Sequence, residues 1–155
     1  MSFAGLGVRL RNWAARLGFV TRMPEGTRSL GAQGEIRAQT LLTAKGYRIL
    51  AKNVRLGFAE ADLVCEAPDR RTIVIVEVKT RRVHSAGSLR GRGAPPPEAS
   101  VGAKKKRKLV AAARYLVKAN GWHERPVRVD AVAVEWRDAS EPTLRHLIGV
   151  ADGNR

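Results

Sequence analysis

The sequence predicts an α/β fold, a mixed sheet of about five strands flanked by helices, and three observations carry that expectation. Ala59 to Val64 and Thr72 to Lys79 are short β-branched-rich segments either side of Pro68, Asp69, Arg70 and Arg71, which reads as a hairpin. Two longer stretches, Ser29 to Lys45 and Val101 to Ala119, carry apolar residues at helical spacing. The order of elements, helix, strand, hairpin, helix, strand, strand, mixes the two types along one chain, which is the pattern of a sheet covered by helices.

At 155 residues the chain is long enough for one domain with a hydrophobic core. Its formal charge of +15 exceeds what solubility needs and implies a polyanionic partner, nucleic acid first and an acidic membrane surface second. The single cysteine, Cys65, excludes an internal disulfide framework and a thiolate zinc site, and a buried place in a strand is its expected role. No run reaches the roughly 18 apolar residues that span a bilayer, so a cytoplasmic protein without membrane insertion is expected.

Residues 1–28 contain Arg9, Arg11, Arg16, Arg22 and Arg28, with Leu6, Leu10, Trp13 and Leu17 near helical spacing. This is a basic N-terminal extension, a short amphipathic helix or a frayed tail, ended by Met23-Pro24-Glu25-Gly26. The main domain is expected over 29–150, with 151–155 as a tail. In the helix from Ser29 to Lys45, Ser29 is a candidate cap and Gly46 a stop signal. Glu35 precedes Ala38 and Leu42 by three and seven residues, which sets a carboxylate at the edge of the inward face. Tyr47 to Val54 reads as a strand closed by Asn53 and Arg55. After the hairpin, residues 83–102 are rich in Gly, Ser, Pro and Arg without an apolar period, and predict a mobile loop. The helix that follows opens with Lys104, Lys105, Lys106, Arg107 and Lys108, at the end where the helix dipole disfavours cations unless an anion answers them. Lys105, four residues before Leu109, lies on its inward edge. Val127 to Trp136 is a strand with Arg128, Asp130, Val132 and Val134 on one face, and Leu144 to Val150 is a short last strand.

The chemistry gathers at the hairpin. Alternation puts Glu77 and Lys79 on the same strand face, and a turn of residues 68–71 sets Asp62 opposite Glu77, with Cβ atoms roughly 5 Å apart. Two carboxylates that close share a proton or a cation, and oxygen ligands suit Mg²⁺ or Mn²⁺. Asp62 and Glu77 are therefore candidate metal ligands, Lys79 a candidate charge stabiliser or water-orienting group, and Glu35 a candidate further metal contact. Glu60 is either a ligand or a bystander. Between Lys79 and Lys118 twelve Lys or Arg residues face one acid, Glu98, which makes Arg81, Arg82, Lys104, Lys105, Lys106, Arg107 and Lys108 candidate phosphate contacts. His84, His123 and His146 are scattered in expected loops or near an end and read as bystanders.

Gly34-Glu35, Gly46-Tyr47, Asn53, Glu60-x-Asp62-Leu63, Glu77-Val78-Lys79-x-Arg81, Lys105 and Arg128-x-Asp130 together resemble the bacterial YraN family, which is similar to archaeal Holliday-junction resolvases and to restriction endonucleases of the PD-(D/E)xK class. The resemblance covers about residues 31–136 and implies a restriction-endonuclease-like core. It also implies a metal-dependent endonuclease, with Asp62, Glu77 and Lys79 matching the catalytic aspartate, glutamate and lysine, and Glu35 the helix glutamate near the metal. Asn53 and Asp130 become further candidates on the same match. Ala59 and Ala61 stand where the family usually has glycine and isoleucine, and Val129 where it has phenylalanine. The substrate expected is DNA, branched or flapped, with a homodimer implied by the related resolvases. A DNA-binding protein on the same fold that acts through a partner without cutting is the alternative.

Overall fold

The computed structural model describes residues 29–83, 101–137 and 140–152. The basic extension at 1–28 and nearly all of the loop at 83–102 lie outside those residues. Helix α1 (Leu30–Ala44) is capped by Ser29, whose hydroxyl accepts a hydrogen bond from Ala32 N–H at 3.1 Å. It stops at Gly46, where φ is +83°, a conformation that glycine adopts without steric cost. Strands β1 (Arg48–Leu56), β2 (Ala59–Glu66) and β3 (Ile73–Val83) follow, then helix α2 (Ala103–Ala119), β4 (Val127–Arg137) and β5 (Thr143–Asp152). β5 thus takes in the start of the expected tail at 151–155.

The five strands form one sheet in the order β1-β2-β3-β4-β5. All neighbours are antiparallel except β3 and β4, which run parallel and are joined through α2. This mixed sheet flanked by two helices is the α/β architecture expected from the sequence. The helices cover opposite faces. Ile73 and Ile75 of β3 pack with Leu109, Ala113 and Leu116 of α2, while Val74 and Val76 pack with Ala38 and Leu42 of α1. The even-odd division of β3 is therefore the one the alternation predicts, and Glu77 and Lys79 fall on the α2 side.

β1 does not close at Val54 as expected. Asn53 takes a positive φ of 49°, which asparagine tolerates better than most residues, and the strand continues to Leu56. The β1–β2 register skips the Asn53 and Asp62 positions between Lys52↔Leu63 and Val54↔Ala61. On β2, Ala61 belongs to the α2-side core and Leu63 to the α1-side core, so two residues that plain alternation would align project to opposite faces. Asp62 sits at that switch.

Candidate functional site

β3 is the central strand, and its C-terminal half carries the site. The β2–β3 ladder ends at Leu63↔Val76, one position before Asp62 and Glu77. There Asp62 Oδ2 accepts a hydrogen bond from Val78 N–H at 2.7 Å, so the side chain takes the place of a strand partner. Glu77 is buried, 2% exposed. Its Oε1 receives two ammonium groups, Lys79 Nζ at 2.7 Å from its own strand and Lys105 Nζ at 2.7 Å from the first turn of α2. Its Oε2 is buried with no hydrogen-bond partner among the described residues. Burial, and after it the neighbouring Glu77 carboxylate, push Asp62 up to about 6, against the pull of the Val78 hydrogen bond.

Glu35, half-buried on α1, is near enough for its charge to raise Asp62 further. What brings it there is Gly34: α1 approaches β3 so closely that a Cβ at this position would overlap the Thr80 hydroxyl. Among the described residues, however, no three His, Cys, Asp or Glu side chains converge tightly enough to cage a metal ion. Asp62 and Glu77 form the near pair, and Glu35 acts on it through its field.

The remaining candidates separate. Glu60 points to solvent beside Arg55, 3.5 Å away, with its side chain 67% exposed. Asn53 shapes the strand opposite Asp62. Arg81 is held by the buried Glu135, which also binds Arg145 at 3.3 Å. Arg82, Lys104, Arg107 and Lys108 are exposed and Lys106 half-exposed. Helix α2 has no side-chain cap at Gly102 and no acid in its first turn, so its lysines and its N-terminal dipole add as positive charge. Lys105 differs from these neighbours as its spacing suggested, although its contact is the Glu77 carboxylate.

Asp130 lies on the α1 side of the sheet, away from Glu77. Its carboxylate accepts hydrogen bonds from Arg128 at 2.7 and 3.0 Å and from Gly149 N–H at 2.9 Å, and meets His146 Nε2 at 2.9 Å. Arg128 also donates to the Tyr47 hydroxyl at 2.9 Å. Burial alone would raise the Asp130 carboxyl; the bonds from His146, Arg128 and Gly149 outweigh it and hold the group below the usual carboxylate range. His146, read as a bystander near the chain end, is instead a buried β5 residue of this network, its side chain fully covered. The signal available was Asp130 itself, an acid in the middle of an apolar strand that required partners. Cys65 is buried, its thiol pushed up to about 12, as an inert core residue would be. No helix of the described residues is long and apolar enough to cross a membrane.

The family model for the uncharacterised protein family UPF0102 matches residues 34–134, which include Glu35, Asp62, Glu77, Lys79, Lys105 and Asp130. A UPF0102 protein of Pelobacter propionicus is 36% identical over 121 residues, 78% of this chain and 81% of that protein. One from Anaeromyxobacter dehalogenans is 37% identical over 130 residues, 84% and 89% of the two chains, and one from Symbiobacterium thermophilum is 42% identical over 109, 70% and 84%. With the motifs, the fold and these matches in agreement, the chain belongs to the UPF0102 family, the YraN family that its sequence resembles.

Proposed function

We propose that the protein is a metal-dependent endonuclease that hydrolyses DNA phosphodiester bonds. The observation that carries this reading is Glu77, a carboxylate buried in the centre of the sheet with one oxygen answered by two lysines and the other by no group among the described residues. A buried charged oxygen without a partner costs more than a buried neutral one, so a cation is its natural complement. Asp62, pushed up by burial and by Glu77, supplies the second oxygen ligand, and an all-oxygen pair fits Mg²⁺ or Mn²⁺. Asp62 and Glu77 would hold such a cation, which would supply positive charge for the scissile phosphate and make a water more acidic.

The chain's own groups account for the rest. Lys79 is half-buried beside Glu77 and delivers positive charge where negative charge develops on the phosphoryl oxygens as water adds and the P–O bond breaks. Lys105 ties the first turn of α2 to the same carboxylate, which places the helix lysines next to the site. Val78 N–H fixes the Asp62 carboxylate. DNA, branched or flapped, suits this arrangement because the surrounding cations grip phosphates without reading bases.

A second reading has its own support: no three ligating side chains of the described residues converge, which favours a DNA-binding protein that does not cut without a partner. Linear, flapped and four-way-junction DNA incubated with Mg²⁺, Mn²⁺ or EDTA separates the two. Cleavage is expected with metal only, and Asp62→Ala or Lys79→Ala should each lower its rate by about 10² or more. Cutting that survives EDTA or both substitutions overturns the enzyme reading, and binding without cutting in any metal establishes the second.

A further inference from the structure

Beside the carboxylates lies an open cleft of about 610 Å³ between the β1–β2 turn and α2, lined by Phe58, Glu60, Lys104, Lys105 and Lys108 among others. Its volume is within the roughly 300–1,000 Å³ of pockets that hold small organic ligands. Gly57 and Phe58 form the two-residue turn between Leu56 and Ala59. Phe58 is 43% exposed there, at a position where turn chemistry favours small polar residues. Its ring meets that of Tyr115, 44% exposed on α2, edge to face, with centroids 6.2 Å apart and planes at 80°. Along α2, Lys104, Lys108, Ala111 and Tyr115 follow one another at spacings of four, three and four, so lysines and tyrosine share one solvent-facing stripe. The opposite stripe, Leu109, Ala112, Ala113 and Leu116, is the core face.

The geometry points to a stacking platform for an unpaired nucleotide: Phe58, which lines the cleft, stacks on a base while Tyr115 braces its ring edge to face and Lys104 and Lys108 hold the adjoining phosphates. This rests on the nucleic-acid reading above and narrows its substrate to DNA with a single-stranded segment. A base inside a duplex already has both faces covered by its neighbours, so two exposed rings gain nothing from paired DNA except at its ends. An unpaired base offers a free face, and stacking on aromatic side chains tolerates any sequence. Charge complementarity agrees, since three lysines line the cleft and its acid, Glu60, is already beside Arg55. The occupant would lie next to the carboxylate pair, because Lys105 both lines the cleft and bonds Glu77.

The test is fluorescence anisotropy in EDTA, where nothing is cut, with a labelled single-stranded oligodeoxynucleotide and a long blunt duplex. Phe58→Ala should weaken single-strand binding about tenfold, the loss of one stacked base, and Tyr115→Ala should weaken it by less through loss of the brace, with duplex affinity changed by no more than about twofold in either. Phe58→Trp should retain single-strand affinity, and all three variants should remain folded at the assay temperature, the alanine variants melting somewhat lower because they lose the ring–ring contact. Equal losses on both DNAs, no loss on either, or a wild type that binds no single strand overturns the platform. Its fate is separate from that of the nuclease: selective loss in EDTA alongside no cleavage in any metal leaves the platform and removes the enzyme, whereas metal-dependent cleavage with Phe58→Ala unaltered does the reverse.

Discussion

Two buried glutamates on adjacent strands differ in what surrounds them. Glu66 has both oxygens answered, Oε2 by Arg48 at 3.0 Å and Arg125 at 2.8 Å, and Oε1 by Arg70 at 3.8 Å. Glu77 is as deeply buried and has one oxygen unanswered among the described residues. The first pattern is that of a structural ion cluster, the second that of a site with a missing partner. Mg²⁺ or Mn²⁺ bound at the proposed site should raise the wild-type Tm through linkage, and Glu77→Gln should abolish that rise. Glu66→Gln should lower stability by about 1–3 kcal/mol in any buffer and leave the metal-induced rise intact. Thermal melts with and without metal decide this, and an unchanged rise in Glu77→Gln refutes the assignment. Asp130 makes a different demand. Its folded pKa is depressed, so the stability it contributes is complete above the unfolded value of about 3.9 and is lost as pH falls through the folded value. Urea midpoints measured from pH 5 down to about 3 should fall in the wild type and fall less steeply in Asp130→Asn. Equal slopes would show that the Arg128 and His146 bonds do not set this group.

At the scale of elements, the site depends on how closely α1 lies on β3. Gly34→Ala inserts a methyl into the Thr80 hydroxyl, so the helix must shift, at a cost of about 1–3 kcal/mol, and Glu35 moves with it. Urea unfolding reads the loss, and Thr80→Ala in the same chain should recover much of it by removing the obstruction; no recovery would place the strain elsewhere. Most of these elements were legible in the sequence because period and punctuation agreed. Ser29, Gly46 and the helical spacing fixed α1 to within a residue or two, and alternation on β3 put Glu77 and Lys79 together on the correct face. The end of β1 was not legible. Asn53 marks a break in ordinary strand chemistry, and sequence cannot distinguish a chain that stops there from one that flips its faces and continues. That same flip parts Glu60 from Asp62, which plain alternation had aligned. Long-range partners were hidden for a similar reason: Lys105 and Glu77, or Asp130 and His146, meet only once α2 and β5 are laid on the sheet. The Phe58–Tyr115 contact joins a hairpin turn to a helix and leaves no local pattern at all.

Across the whole molecule, positive charge is distributed so that one part of it is already committed. The chain has 29 Lys and Arg against 14 Asp and Glu, and Arg48, Arg125 and Arg128 are paired with buried acids, as Arg81 is with Glu135. Among the described residues, α2 contributes uncommitted cations: Lys104 and Lys108 are exposed and no acid occupies its first turn. Affinity for a polyanion comes from the uncommitted cations, because only these release counterions when a phosphate arrives. Lys104 and Lys105 are neighbours in sequence and differ in this respect, since Lys105 is bound to Glu77 at 2.7 Å. On duplex DNA, Lys104→Ala should flatten the plot of log affinity against log salt by about 0.9, the value for one phosphate contact. Lys105→Ala should flatten it by clearly less, while lowering the rate of metal-dependent cleavage more than Lys104→Ala does, because it removes charge from the carboxylate site. Binding isotherms across a salt series, with cleavage rates measured on the same variants, separate the two roles. Equal slopes and equal rates for the two variants would mean that Lys105 is one more solvated cation and that α2 is not tied to the chemistry through Glu77.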